Sequence, residues 1–313
     1  MYQEFFGLAE APFNVNPSPR YLYLTKELRE VLAALMYGVS NRKGFVTLIG
    51  EVGTGKTTLL NRFLELLSQP QIRTALIYNS RINSTQLLEF ILTKFQISCE
   101  SDSKVQRLVR LNQWLLERYQ AGESVVLVID EAQNLSLPVL EEIRLLTNLE
   151  TPEDKLLQVI LSGQPELDAK LNQPQLRQLR QRVGVQCKTS PLTSEQTHEY
   201  IAARLRVAGA SGEPIFSPKA INLIYKFSRG IPRLINLVCE HSLVHGYVEG
   251  QRPIEPAIVE KTAHEFRLEE APLVPRPDSV TLNLELHNTA SFVQDFGAAL
   301  SQFRAKPLTR EHN

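Results

Sequence analysis

Residues 45–58 read FVTLIGEVGTGKTT, and this stretch restricts the available folds most strongly. The apolar, largely β-branched run from Phe45 to Ile49 predicts a buried strand that stops at Gly50. Gly50, four further residues and then Gly55-Lys56-Thr57 match the phosphate-binding pattern GxxxxGK[ST]. Each residue type has a chemical reason. Glycines at 50, 53 and 55 let backbone N–H groups fold in around a polyphosphate. A helix predicted over 56–67 turns its positive end towards the same anion. Lys56 supplies a point charge for β- and γ-phosphates, and the Thr57 hydroxyl can ligand Mg²⁺. The candidate nucleotide ligands are therefore Gly50, Glu51, Val52, Gly53, Thr54, Gly55, Lys56, Thr57 and Thr58. A strand before and an amphipathic helix after are the context that the pattern needs, so the chain reads as nucleotide-binding.

The rest of the chain supplies a setting for that loop. Its 313 residues suffice for a sizeable core and two domains. Lys+Arg 34 against Asp+Glu 34 gives no bulk basic signal for nucleic acid or membrane, while leaving room for a local basic face. Cys99, Cys187 and Cys239 lack any CxxC spacing, which fits a reducing compartment. No secretory leader or membrane-spanning run is visible, so the expected location is cytoplasmic.

Residues 1–24, with Phe5, Phe6, Phe13, Tyr21 and Tyr23 among prolines, read as an irregular aromatic arm over a folded body rather than a helix or strand. Thr25 is placed to cap a helix carrying Leu28, Val31, Leu32, Leu35 and Met36. Strands are predicted over 74–78, 125–129, 157–161 and 183–187, and helices over 84–95, 104–119 and 137–149. Strands alternating with helices imply an α/β parallel sheet over 25–190. From Thr193 the periodicity is helical only, so 191–268 reads as a separate helical domain. Residues 269–313 open with Pro272, Pro275 and Pro277 as a linker. Within it, Phe292, Phe296, Leu300 and Phe303 share one helical face, read as docking on the protein's own body before a partner.

Hydrolysis needs an acidic strand end beside the loop. The run VVLVI at 125–129 ends in Asp130-Glu131, two carboxylates costly to bury without a cation. Asp130 is placed to hold Mg²⁺, and Glu131 to orient and deprotonate an attacking water. Ser162 and Gln164 follow the next strand, where a side chain can sense the γ-phosphate or simply satisfy a turn. Arg177, Arg180 and Arg182 form a basic helix face, or an arginine finger for a neighbouring subunit. Arg233, in Gly230-Ile231-Pro232-Arg233, could reach the nucleotide from above. His241 and His245 share a helix face without a third ligand and read as ordinary residues; Trp114 reads as core.

Taken together, the loop, the hhhhDE strand, LSGQPEL, LRQLRQRV and GIPR resemble AAA+ ATPases. More narrowly, MYQEFFGLAEAPFNVNPSPRYLYLT, GFVTLIGEVGTGKTTLL and VVLVIDEAQNLSLPVLEEIRLLTNLET resemble the ExeA/GspA/MshM group, ATPases associated with type II secretion and pilus assembly. The likeness runs from Met1 to about Leu268. The TnsC/TniB-type regulators of DNA transposition share the layout.

The resemblance implies a P-loop AAA+ fold, a five-stranded parallel αβα sheet with a C-terminal helical lid. It implies ATP and Mg²⁺ as cofactors. It also implies a homo-oligomer, ring or helical filament, with nucleotide at subunit interfaces and a protein partner. By the same resemblance Lys56 and Thr57 are Walker A, and Asp130 and Glu131 Walker B. Gln164 or Ser162 matches sensor 1, and Arg233 matches sensor 2. Arg180 is the first choice for the arginine finger, then Arg182 or Arg177, and Asn79 matches the polar residue restraining the catalytic glutamate. Secretion-type relatives continue into a transmembrane helix and a peptidoglycan-binding domain. The short tail here points instead to a soluble partner. The leading expectation is an ATP-hydrolysing switch of the ExeA type controlling a partner assembly. The alternative is an ATP-dependent regulator of transposition that binds double-stranded DNA.

Overall fold

The computed structural model describes residues 1–14, 19–78 and 81–269. Asn79 and the stretch from Phe292 to Phe303 lie outside the described residues. After α1 (Tyr2–Phe6) the chain runs α2 (Lys26–Ser40), β1 (Phe45–Gly50), α3 (Lys56–Leu66), β2 (Ile72–Ile77) and α4 (Ser84–Lys94). Next come α5 (Lys104–Gln120), β3 (Ser124–Ile129), α6 (Leu137–Leu146), β4 (Leu157–Gly163), α7 (Pro165–Leu171), α8 (Arg177–Arg180) and β5 (Val185–Thr189). Helices α9 (Ser194–Val207), α10 (Pro218–Ser228), α11 (Pro232–Glu249) and α12 (Pro256–Glu265) complete the described residues.

The five strands form one parallel sheet in the order β2-β3-β4-β1-β5. Both faces are covered, which the strand composition requires: β1 is buried along its whole length and β3 at every position but the first. Alternate residues serve opposite cores. Val125, Leu127 and Ile129 join α4, α5, α6 and α7, whereas Val126 and Val128 join α2 and α3. Each such buried side chain contributes on the order of 1.5–3 kcal/mol of apolar transfer energy. Thr25 caps α2, its hydroxyl accepting the Leu28 N–H at 3.2 Å.

Register positions the strand ends that matter. Ile49 pairs with Gly163, and Ile129 with Leu161, so β4 runs between β1 and β3 and ends beside both. Two strand boundaries differ from the sequence reading for this reason. β4 continues through Ser162 and Gly163 because Ser162 pairs with Leu48. β5 starts at Val185, where the ladder to Val46 begins, and so ends at Thr189 opposite Gly50.

Helices α9 to α12 pack around their own core of Ile201, Ile224, Ile235, Val238, Leu243 and Val259 and form the helical lid. The N-terminal segment joins this core, with Phe6, Leu8 and Phe13 buried. Its first residues correct the expectation of an irregular arm. Tyr2–Phe6 is a helix, closed by Gly7 in the left-handed region and held to α11 by the Tyr2 hydroxyl, which donates to Glu240 at 2.6 Å. Five residues are too few for a periodic signal, and burial against the lid stabilises what local propensity could not. Arg204 of α9 fixes the segment further on: its Nε donates to the Pro12 carbonyl at 2.6 Å, and its guanidinium stacks over Tyr21 at 4.6 Å.

Trp114 lies against the sheet core, only partly buried, with its ring 5.2 Å from Phe95. His245 faces Glu265 at 3.0 Å, and His241 lies edge-on to Phe266. Among the described residues, no helix is long and apolar enough to cross a membrane.

The helical domain is tied at Gly230 to the segment that follows β5. Leu192 N–H donates to the Gly230 carbonyl at 2.7 Å, and Gly230 has φ 72°. A Cβ there would lie 1.9 Å from the Leu192 oxygen. Gly230→Ala combines a left-handed alanine with a backbone clash. It is expected to lose at least about 2 kcal/mol and about 5 °C of melting temperature, measured by thermal unfolding. Unchanged melting would show that the 190–193 linker yields freely.

Candidate nucleotide site

The site lies at the carboxyl ends of β1, β3 and β4, where a parallel sheet presents its loops. After Gly50 the chain makes a tight loop and enters α3 at Lys56. Gly53, at φ 80°, has the lid directly above it: a Cβ at 53 would meet Arg233 Cβ at 2.8 Å and Ile231 Cγ2 at 3.0 Å. Arg233 N–H, at the start of α11, donates to the Gly53 carbonyl at 3.2 Å. The Arg233 side chain is exposed. Thr54 is buried, its hydroxyl donating to Glu51 O at 2.8 Å and sharing a 2.8 Å bond with Thr189 Oγ1.

Lys56 is only 7% exposed, an unusual place for an ammonium. Its Nζ donates to Gly50 O at 2.7 Å and Glu51 O at 2.9 Å. Burial lowers its pKa, opposed by the charges of Glu131, Asp130, Glu51 and Glu166. The loop thus holds a desolvated cation over carbonyls that phosphate oxygens can replace as partners.

The acidic side is equally ordered. Thr57 Oγ1 donates to Asp130 Oδ2 at 2.8 Å; Ser162 Oγ and Glu131 N–H donate to Oδ1 at 2.7 and 3.0 Å. Asp130 is 2% exposed, so these donors are what make its burial tolerable. The hydroxyl of Thr57 and the carboxylate of Asp130 form a hard-oxygen pair of the type Mg²⁺ takes, and the residues fit that ion. Next to it, Glu131 has a left-handed backbone, φ 54° and ψ 36°. Its Oε2 accepts from Gln133 Nε2 at 2.5 Å and Gln164 Nε2 at 3.2 Å.

The fold therefore brings together loop 50–58, Asp130, Glu131, Ser162, Gln164 and Arg233. It does not bring the three arginines to the same loop. Arg177 is exposed, and Arg180 Nη1 donates to Asp168 Oδ1 of α7 at 2.8 Å. Arg182 Nη1 turns inward, donating to Thr147 Oγ1 at 2.9 Å and to Arg144 O at 3.4 Å. Gln133, Lys170 and Thr189 escaped the sequence reading. Gln133 offered only an amide two residues after Glu131, which means nothing until Gln164 is seen beside it. Thr189 offered no local signal, because only the β1–β5 register sets it beside Thr54.

Residues 39–171 match the AAA domain model. Over 266 residues the chain is 44% identical to General secretion pathway protein A of Aeromonas hydrophila. The match takes in 85% of this chain. Residues 39–171 are thus an AAA domain, and the chain resembles the ExeA/GspA group. The AAA+ chain spans about half, 48%, of that curated relative's length. Among solved structures, Cdc6p of Pyrobaculum aerophilum matches with a TM-score of 0.62 at 23% identity. The ORC2 protein of Aeropyrum pernix, solved as ADPNP–ADP complexes, matches at 0.61 and 16%. In each case 82% of this chain and 71% of the other are covered. Identities this low establish the fold that the AAA+ chain shares with them.

Proposed function

We propose that the chain binds ATP with Mg²⁺, hydrolyses it, and uses the cycle to switch an assembly of its own copies that acts on a protein partner. The observation that carries this reading is the Thr57–Asp130–Ser162 cluster around the buried Asp130 carboxylate, with Glu131 beside it, facing a lysine-bearing loop. Lys56 and the loop N–H groups would bind the phosphates, and Thr57 and Asp130 would hold the ion. Mg²⁺, when bound there, would supply charge neutralisation to the phosphates. Glu131 would take a proton from the attacking water as the water oxygen bonds to the γ-phosphorus and the bond from that phosphorus to the bridging oxygen breaks, releasing ADP and phosphate. Gln164, already bonded to Glu131, is suited to report the γ-phosphate, and Arg233 to carry that state into the lid. Thr189, bonded to Thr54, gives the base of the lid a second link to the loop.

The 44% relative's name supports a partner in a secretion pathway, and ATP as fuel supports a cytoplasmic site of action. Arg180 is the arginine best suited to act on a neighbour. It sits half-exposed on a surface pair, whereas Arg182 is committed to Thr147. Reaching a neighbouring site would mean exchanging Asp168 for phosphate.

The test is turnover against protein concentration. Specific activity is expected to rise with concentration, and Arg180→Ala to lose about 10³-fold in turnover while keeping nucleotide affinity. Mixing Arg180→Ala with Glu131→Gln subunits should restore activity at the interfaces that combine an intact Glu131 with an intact Arg180. Concentration-independent turnover, or an Arg180→Ala protein of parental activity, would defeat the assembly reading. The same preparations, imaged with and without duplex DNA, read the partner class. Assemblies that form only on DNA would replace a protein partner with a nucleic-acid one.

A further inference from the structure

Gln133 has no part in the mechanism above, yet its side chain is fixed at both ends within the site. It lies in the single 3-10 turn Ala132–Asn134 that follows Glu131. Its Nε2 donates to Glu131 Oε2 at 2.5 Å, and its Oε1 accepts the backbone N–H of Gln164 at 3.2 Å. The Gln164 side chain donates to the same Oε2 at 3.2 Å, which closes a ring of four groups. The partners dictate the orientation of the amide. Reversed, its oxygen would face a carboxylate and its NH₂ would face another donor. A glutamine that merely satisfied a turn would bond its own backbone.

The surroundings hold this arrangement. Lys170 Nζ, from α7, donates to the Gln133 carbonyl at 2.6 Å and the Leu135 carbonyl at 2.8 Å, pinning the turn. Gly163, at the end of β4, leaves the space the amide occupies: a Cβ there would lie 2.9 Å from Gln133 Oε1 and 2.8 Å from Leu167 Cδ2. Glu131 itself keeps a left-handed backbone, which persists in a non-glycine residue only where its neighbours over-determine it.

We propose that Gln133 is a positioning residue that, paired with Gln164, fixes the Glu131 carboxylate for proton abstraction. The proposal rests on the reading of Glu131 as the base. A carboxylate offers about four acceptor sites over its two oxygens, so two amide donors on Oε2 are compatible with the same group taking a water. What the amides fix is the direction of the group, and an error of about 1 Å in such a direction can cost about 10²-fold in rate.

The test uses the full chain with saturating ATP and Mg²⁺, reading steady-state turnover and the affinity for a fluorescent ATP analogue. Gln133→Met keeps length and volume but removes the donor. It is expected to lower kcat by about 10- to 10²-fold with nucleotide affinity within about twofold. Gln133→Glu, which sets a second carboxylate against Glu131, is expected to lose more, and it serves as the probe should methionine unsettle the turn. In a Glu131→Gln background, Gln133→Met should cause no further loss, because the group it positions is no longer a base. Parental or faster turnover by Gln133→Met, an equal loss in the Glu131→Gln background, or a parallel loss of nucleotide affinity each overturns the proposal. The two readings fail separately. Parental turnover by Glu131→Gln alone removes the base. An inactive Glu131→Gln beside a fully active Gln133→Met removes only the positioning role.

Discussion

Lys56→Ala is expected to weaken ATP binding by at least about 10²-fold, equivalent to about 3 kcal/mol of charge-assisted contact with phosphate. The reason lies in how the free loop stores the ammonium. Lys56 is almost fully buried and bonded to two carbonyls of its own loop, so its charge is desolvated before any ligand arrives. Phosphate oxygens would gain a cation already stripped of water, in surroundings where it interacts more strongly than in bulk solvent. Removing it should alter the stability of the free protein little, since the lost bonds to Gly50 O and Glu51 O are offset by relief of a buried charge. The measurement is the rise in melting temperature with nucleotide. A ligand at 100 times its dissociation constant stabilises the native state by about 2.7 kcal/mol, a rise the parent should show and the variant should not. Parental affinity in Lys56→Ala would remove the phosphate cradle from the account of this site.

Glu131→Gln should behave in the opposite way, binding ATP normally while turnover falls by about 10²- to 10⁴-fold. Glutamine has the shape of glutamate, and its carbonyl oxygen can accept the same two amide bonds from Gln133 and Gln164, so the local geometry is retained. What it lacks is the ability to take a proton from water at neutral pH. ATP should then be bound but not spent, and the ATP-held assembly should accumulate. Single-turnover release of phosphate, followed beside sizing chromatography, separates the two effects. Hydrolysis at the parental rate would mean that another group is the base.

The contrast between these two residues and their neighbours shows where local patterns stop being informative. Lys56 and Thr57 were legible because a strand, a tight glycine loop and a helix follow one another without interruption. Asp130 and Glu131 were legible because an apolar run ends abruptly in two acids. Gln133 was not, since an amide two residues beyond a carboxylate carries no meaning until Gln164 is known to stand beside it. Ser162 looked like a loop residue and is a buried strand residue, because its pairing with Leu48 cannot be seen in LSGQ. Arg182, by resemblance a second choice for the finger after Arg180, is held inward by Thr147, a contact across 35 residues of chain.

The amino-acid sequence alone determined the elements and the chemistry of the loop, because periodicity, glycine placement and residue type act over a few neighbours. It determined that strands buried on both faces alternate with helices, and that a helix-only region follows. Tertiary structure decided which strand ends adjoin. With β4 between β1 and β3, Ser162 and Gln164 fall beside Asp130 and Glu131, and with β5 on the other side, Thr189 falls beside Thr54. It also decided that residues 2–6 are helical and that α11 begins against Gly53. Those choices depend on burial and register between segments far apart in the chain, which a single sequence records only as hydrophobicity.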